Sequence, residues 1–312
     1  MPAPAHRSRL LAGIALLAIA STLAVAAAPA QALLGGRLLK RLAERRNAGT
    51  TTLPAPAGMQ TQRDIAYGPD PKQRMDAYLP ARAHDAPILV MVHGGAWAFG
   101  DKSNDNVIDN KLAHWIPQGF IVVSVNNRLL PQAAPLEQAR DVASALSKVQ
   151  ALAPSWGGNP RALVLMGHSA GAHLAALLDA DPALLKAAGA LPPRGVVSLD
   201  SAAMDVPELM SRGSAPLPRL YRDAFGDDPA DWAAASPYQR LQAGAPPMLV
   251  VCSSRRADSC PQGKALIAKA AGLGVRMELQ PEDLNHGQIN QTLGLPSDYT
   301  AVVDRFIASV LH

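Results

Sequence analysis

A chain of 312 residues, 48% of them hydrophobic, can bury a substantial core, which excludes a disordered tail. Its formal net charge of +4 falls to +2 once Arg7 and Arg9 are set aside (4 − 2). That charge is too weak and too scattered for a nucleic-acid surface.

The N-terminal residues read as an export signal. His6, Arg7 and Arg9 precede an uncharged apolar run from Leu10 to Ala28, and Ala30 and Ala32 supply the small residues of a cleavage site. The expectation is a signal peptide over residues 1–32 and a periplasmic or secreted product, with a retained membrane anchor as the alternative because the run nearly reaches spanning length. Residues 33–59 read as a basic segment and linker. Within 36–46, Leu38, Leu39 and Leu42 lie beside Arg37, Lys40, Arg41 and Arg45, which suits a short solvated helix or a weak contact with an anionic membrane surface. Residues 50–58 are small, polar and proline-bearing, as in a linker.

From residue 60 to 312 the pattern is that of one α/β domain. Segments 63–68 and 73–79 alternate in polarity around a Gly-Pro-Asp-Pro connection, predicting an antiparallel edge hairpin. The runs at 86–95, 119–126, 161–167, 194–200, 247–253 and 275–280 are continuous in Val, Leu and Ile, the signature of strands buried on both faces of a parallel sheet. Residues 136–152, 170–180, 262–272 and 298–311 carry apolar residues at helical spacing, completing a β-α alternation. The stretch 201–240, rich in Pro, Ala and charge, fits no simple crossover and is expected to form a small cap-like insertion. Cys252 and Cys260 are close in sequence, and in an exported chain they are expected to form a disulfide.

Two glycine-flanked turns carry the chemistry. The sequence "GHSAG" at 167–171 follows an apolar strand and opens a helical segment. Gly167 and Gly171 leave room for a sharp turn with Ser169 at its apex. A serine needs a histidine to take its proton and N–H donors for the developing oxyanion. "HGGAW" at 93–97 also ends a strand, and the N–H groups of Gly94 and Gly95, with that of Ala170, could form the oxyanion hole.

These motifs resemble the α/β-hydrolase superfamily, in particular its carboxylesterase and kynurenine-formamidase-like branch. The likeness extends over residues 60–311 and is carried by "HGGAWAFGDK" (93–102), "VSVNNRLLPQ" (123–132), "GHSAG" (167–171) and "SPYQRL" (236–241). Asn127 departs from an aromatic residue common there, and Ala96 stands where the lipase-type H-G-G-G pattern has its third glycine. The resemblance implies the chain order Ser, acid, His. After Ser169 only His173, His286 and His312 remain, and His286, in a loop beyond the last strand, is the expected base. Asp258, after the strand at 247–253, is the expected acid, with Asp200 as the alternative. The resemblance also suggests an Arg128–Asp141 ion pair, Trp97 packed beside the oxyanion loop, and Asp101 with Lys102 fixing the base of that loop.

The resulting expectation is an exported serine hydrolase of small carboxylic esters, acting through an acyl-enzyme that requires neither metal nor cofactor. Arylformamidase activity and a catalytically silent binding protein are the alternatives. A monomer is the default oligomeric state.

Overall fold

The computed structural model describes residues 54–211 and 218–312. The expected signal peptide and the basic segment 36–46 lie outside the described residues. Among the described residues eight strands form one sheet in the order β1-β2-β4-β3-β5-β6-β7-β8. They are β1 (Gln60–Ala66), β2 (Arg74–Leu79), β3 (Ala86–Val92), β4 (Ile121–Val125), β5 (Gly158–His168), β6 (Gly195–Leu199), β7 (Met248–Ser253) and β8 (Met277–Glu282). The hairpin β1–β2 occupies one edge, and β2 also meets β4 antiparallel. From β4 through β3 to β8 every pairing is parallel.

Parallel neighbours require crossovers, and helices supply them: α1 (Asp105–Trp115), α2 (Pro135–Leu152), α3 (Ala170–Ala180) and α4 (Pro182–Ala187) lie between β3 and β6. Among the described residues, four short helices lie between β6 and β7: α5 (Val206–Met210), α6 (Arg219–Phe225), α7 (Pro229–Ala234) and α8 (Pro237–Arg240). They form the insertion expected at 201–240. The chain continues with α9 (Ser259–Gly272), α10 (His286–Gln291) and α11 (Asp298–Leu311).

The apolar strand runs are explained by burial on both sides. Alternate residues of the central strands feed two cores. Val90, Leu165, Val196 and Val250 pack with Leu146 and Leu174 on one face, while Leu89, Met91, Val164 and Met166 pack with Trp115, Val303 and Phe306 on the other. Leu165 is fully buried, and truncating such a side chain to alanine costs roughly 2–5 kcal/mol. Helix α1 was not anticipated. Asn104 caps it by accepting from the N–H of Asn106, and Val107, Ile108, Leu112 and Trp115 form its buried face. Among the described residues, no helix is long and apolar enough to cross a membrane.

Candidate active site

The carboxyl ends of β3, β5, β6, β7 and β8 open on the same edge of the sheet, where an open α/β sheet gathers its ligand-binding loops. Ser169 follows β5 with φ 56° and ψ −116°, a strained turn that only its surroundings can enforce. Those surroundings exclude side chains: a Cβ on Gly167 would lie 2.2 Å from the Gly171 carbonyl oxygen, and one on Gly171 would lie 2.3 Å from that of Val92. The Ser169 N–H donates to Leu199 O at 2.9 Å, tying the turn to β6.

The loop after β3 approaches this turn closely. A Cβ on Gly94 would stand 2.9 Å from Ser169 Cβ and equally close to the His168 carbonyl oxygen. The two glycine motifs therefore meet at a single site. Beyond Gly94 the chain curls tightly. Gly95 has φ 131°, Ala96 and Trp97 have φ 52° and 58°, and the N–H groups of Ala98 and Phe99 both donate to Gly95 O. The N–H groups of Gly94 and Gly95 donate to no backbone acceptor among the described residues. The N–H of Ala170 belongs to the first turn of α3, where no intrahelical partner exists.

Ser169 Oγ lies 2.9 Å from His286 Nε2. His286 opens α10, whose N-terminus is closed by a reciprocal capping box between Asn285 and Gln288. The other end of this short helix is held by α1: the ammonium of Lys111, 1% exposed, donates to Asn290 O and Oδ1 at 2.8 and 2.9 Å, and Asn110 donates to Gln291 O. The His168 ring packs at a tilt of 36° against that of His286, with centroids 4.6 Å apart, and donates from Nε2 to the His286 carbonyl. Burial, then the neighbouring His286, pushes the His168 imidazole well below its ordinary range, so it stays neutral.

The acid beside His286 is Asp200. Its Oδ2 lies 2.6 Å from His286 Nδ1, at the end of β6, with its side chain fully buried. Its other oxygen accepts from the Ser253 N–H at 2.8 Å and from the Ser259 hydroxyl. Burial works to raise the Asp200 carboxyl, but the hydrogen bond from His286 and the charge of Arg256 outweigh it and hold the group well below the usual carboxylate range. This corrects the expectation for Asp258. That residue follows β7 as foreseen, but its carboxylate is taken by Arg256 at 3.1 and 3.2 Å and it does not reach His286. The Nη1 of the same arginine occupies the space 2.9 Å from His286 Nδ1.

Several neighbouring expectations can be placed directly. Cys252 and Cys260 are joined by a disulfide across the 253–259 loop. Asp141 receives Arg128 through Nε and Nη2 and also the Gln73 amide. Lys102 pairs with Asp64 and Asp76 at 2.9 and 2.8 Å, and its neighbour Asp101 accepts from Ser103 and Asn126. His173, one of the histidines that follow Ser169 in the chain, is buried behind the 93–97 loop. It accepts from Trp97 Nε1 at 3.2 Å and donates to Ala235 O, and burial lowers its pKa to about 4. Trp97 also meets Phe225 and Tyr221 of α6, so the insertion braces the loop that bears Gly94 and Gly95. His312 ends the chain after α11. Among the described residues no group of three His, Cys, Asp or Glu side chains is arranged to hold a metal ion.

Residues 75–186 match the BD-FAE family model. A probable isoprenylcysteine alpha-carbonyl methylesterase of Oryza sativa subsp. japonica is 35% identical over 118 residues, 38% of this chain and 28% of that protein. Esterase LipQ of Mycobacterium tuberculosis is 32% identical over 207 residues, 60% of this chain and 47% of that protein. The matched stretches thus span about a quarter to a half of these relatives. The crystal structure of esterase B from Lactobacillus rhamnosis superposes with a TM-score of 0.68 at 20% identity, covering 91% of this chain and 94% of that one. Sheet order, turn geometry and these likenesses agree: the chain has the α/β-hydrolase fold.

Proposed function

We propose that this chain is a serine hydrolase of small carboxylic esters. The observation that carries the reading is the hydrogen-bonded series Ser169 Oγ, His286 Nε2, His286 Nδ1, Asp200 Oδ2, at 2.9 and 2.6 Å. Ser169 Oγ attacks the ester carbonyl while His286 Nε2 takes its proton. Asp200 holds the ring in the tautomer that leaves Nε2 free and stabilises the imidazolium that forms. The oxyanion is received by the N–H groups of Gly94, Gly95 and Ala170. As the tetrahedral intermediate collapses, the C–O bond to the alcohol breaks and the alkoxide takes the proton from His286. Water, deprotonated by the same nitrogen, then attacks the acyl-Ser169, releasing the acid and restoring the serine. The complete set of nucleophile, base, acid and free N–H donors favours catalysis over a silent binding role.

Export is part of the proposal, supported by the N-terminal apolar run after Arg7 and Arg9. A disulfide beside the site is consistent with an oxidising compartment.

The test is turnover of p-nitrophenyl acyl esters, acetylated and feruloylated sugars and N-formylkynurenine by the mature protein and by Ser169→Ala. Serine-dependent hydrolysis of the esters is expected. Faster turnover of N-formylkynurenine would transfer the assignment to a formamidase, and no serine-dependent turnover of any substrate would exclude both.

A further inference from the structure

Asp258, held by Arg256 and out of reach of His286, lies one arginine away from the base. Arg256 lies between two carboxylates and beside the base. Its Nε and Nη2 grip Asp258 side-on at 3.1 and 3.2 Å, while Nη1 reaches Asp200 Oδ2 at 3.0 Å, Asp200 O at 3.2 Å and His286 Nδ1 at 2.9 Å. A guanidinium in this position opposes catalysis by its charge alone: it competes for the Asp200 oxygen that His286 needs, and it stands against a ring that must become cationic. The side-on fork with Asp258 is the geometry that fixes a guanidinium in both place and orientation. It also supplies a second negative charge, with the Asp258 side chain 32% exposed and that of Asp200 fully buried.

We propose that Arg256 and Asp258 act as one positioning pair behind the catalytic triad, in which Asp258 holds the guanidinium side-on and offsets its charge so that Asp200 remains available to the imidazolium. The proposal rests on the serine-hydrolase reading above. Asp258 acts through Arg256 and not on the substrate or the reacting atoms. The titratable and charged groups facing His286 are Asp200 after β6, Arg256 after β7 and His168 at the end of β5, with Lys111 of α1 acting on His168 from behind.

The experiment is a double-mutant cycle on the mature, disulfide-bonded protein with p-nitrophenyl acetate: wild type, Asp258→Asn, Arg256→Gln and the double variant, with Asp258→Glu and Ser169→Ala alongside. Asp258→Asn is expected to lower kcat about tenfold with KM changed less than about twofold, and in the Arg256→Gln background the same substitution should change kcat by less than about twofold. With the guanidinium left uncompensated, the acid limb of the Asp258→Asn pH profile moves to lower pH. Asp258→Glu, which keeps the charge, restores most of the activity. Equal losses in both backgrounds would overturn the pair, and a loss of about 10⁴ on Asp258→Asn would make Asp258 the triad acid instead. Wild-type turnover that survives Ser169→Ala would overturn the hydrolase reading and the pair with it.

Discussion

Asp200 Oδ2 stands 2.6 Å from His286 Nδ1, although the two residues are 86 positions apart in the chain. The carboxylate is presented by the end of β6, at φ 57°, and the imidazole by the first residue of α10. A carboxylate so placed fixes the tautomer of the ring. Asp200→Asn is expected to lower kcat by about 10⁴ while leaving the protein folded, as measured by p-nitrophenyl acetate turnover and circular dichroism. A loss of less than tenfold would place the acid elsewhere.

The close approach of Gly94 to Ser169 gives a second prediction. A methyl group there has no room, standing 2.9 Å from Ser169 Cβ and from two atoms of His168, so Gly94→Ala must displace either the 93–97 loop or the serine. Losing one oxyanion donor costs about 10²–10³ in kcat. The expected result is a kcat loss of that order, with the reactivity of Ser169 toward a fluorophosphonate reduced to a lesser degree. Unchanged kcat would remove Gly94 from the site.

The Cys252–Cys260 disulfide closes the loop whose Ser253, Arg256 and Ser259 supply three of the contacts on Asp200. Opening it should loosen the acid as well as the fold. The Cys252→Ser/Cys260→Ser variant is expected to lose ~2–3 kcal/mol of stability on the chain-entropy estimate for so short a loop, measured by urea unfolding. It should also lose kcat at temperatures well below its own midpoint. Full activity in that variant at low temperature would confine the bridge to stability.

Much of this architecture is legible in the sequence because each signal has a local cause. Strands buried on both faces must be apolar without alternation, as 86–92 and 248–253 are, and close backbone approaches demand glycine, as at 94, 167 and 171. Helix α1 was missed because its apolar positions Val107, Ile108, Leu112 and Trp115 are interleaved with Asn, Asp, Lys and His, and its buried face includes Asn110 and Lys111; the cap at Asn104 was the available signal. The contact between Asp200 and His286 was not legible for a different reason. Asp200 and Asp258 each follow a strand and each precede His286 in the chain, so order alone cannot separate them. In the fold Arg256 takes the Asp258 carboxylate while Asp200 meets the imidazole, and the directions of these side chains are properties of the folded loops. A carboxylate directly after an apolar strand, as Asp200 follows "GVVSL", was the signal to weigh more heavily.

Lys111 carries the last prediction. Its ammonium is enclosed between α1 and α10, with Asn290 O and Oδ1 as its acceptors, and burial lowers its pKa to about 7. The unfolded value is about 10.4, so between these limits the unfolded chain binds more protons than the folded one, and stability must rise with pH across that window. Neither cysteine is free to titrate, and Tyr67, Tyr78 and Tyr299, which burial raises above their ordinary range, oppose the gain only near the top of the window, where the phenols of the unfolded chain begin to ionise. Urea unfolding of the wild type is therefore expected to show a gain on the order of 2 kcal/mol between pH 7 and about 9.5. Lys111→Met should lack this gain and, having left two acceptors of Asn290 without their donor, should also be less stable at pH 9.5 by about 1–3 kcal/mol. If the variant keeps the same pH dependence as the wild type, the titrating group is not Lys111, and its ammonium remains charged throughout as a clamp on the helix that carries His286.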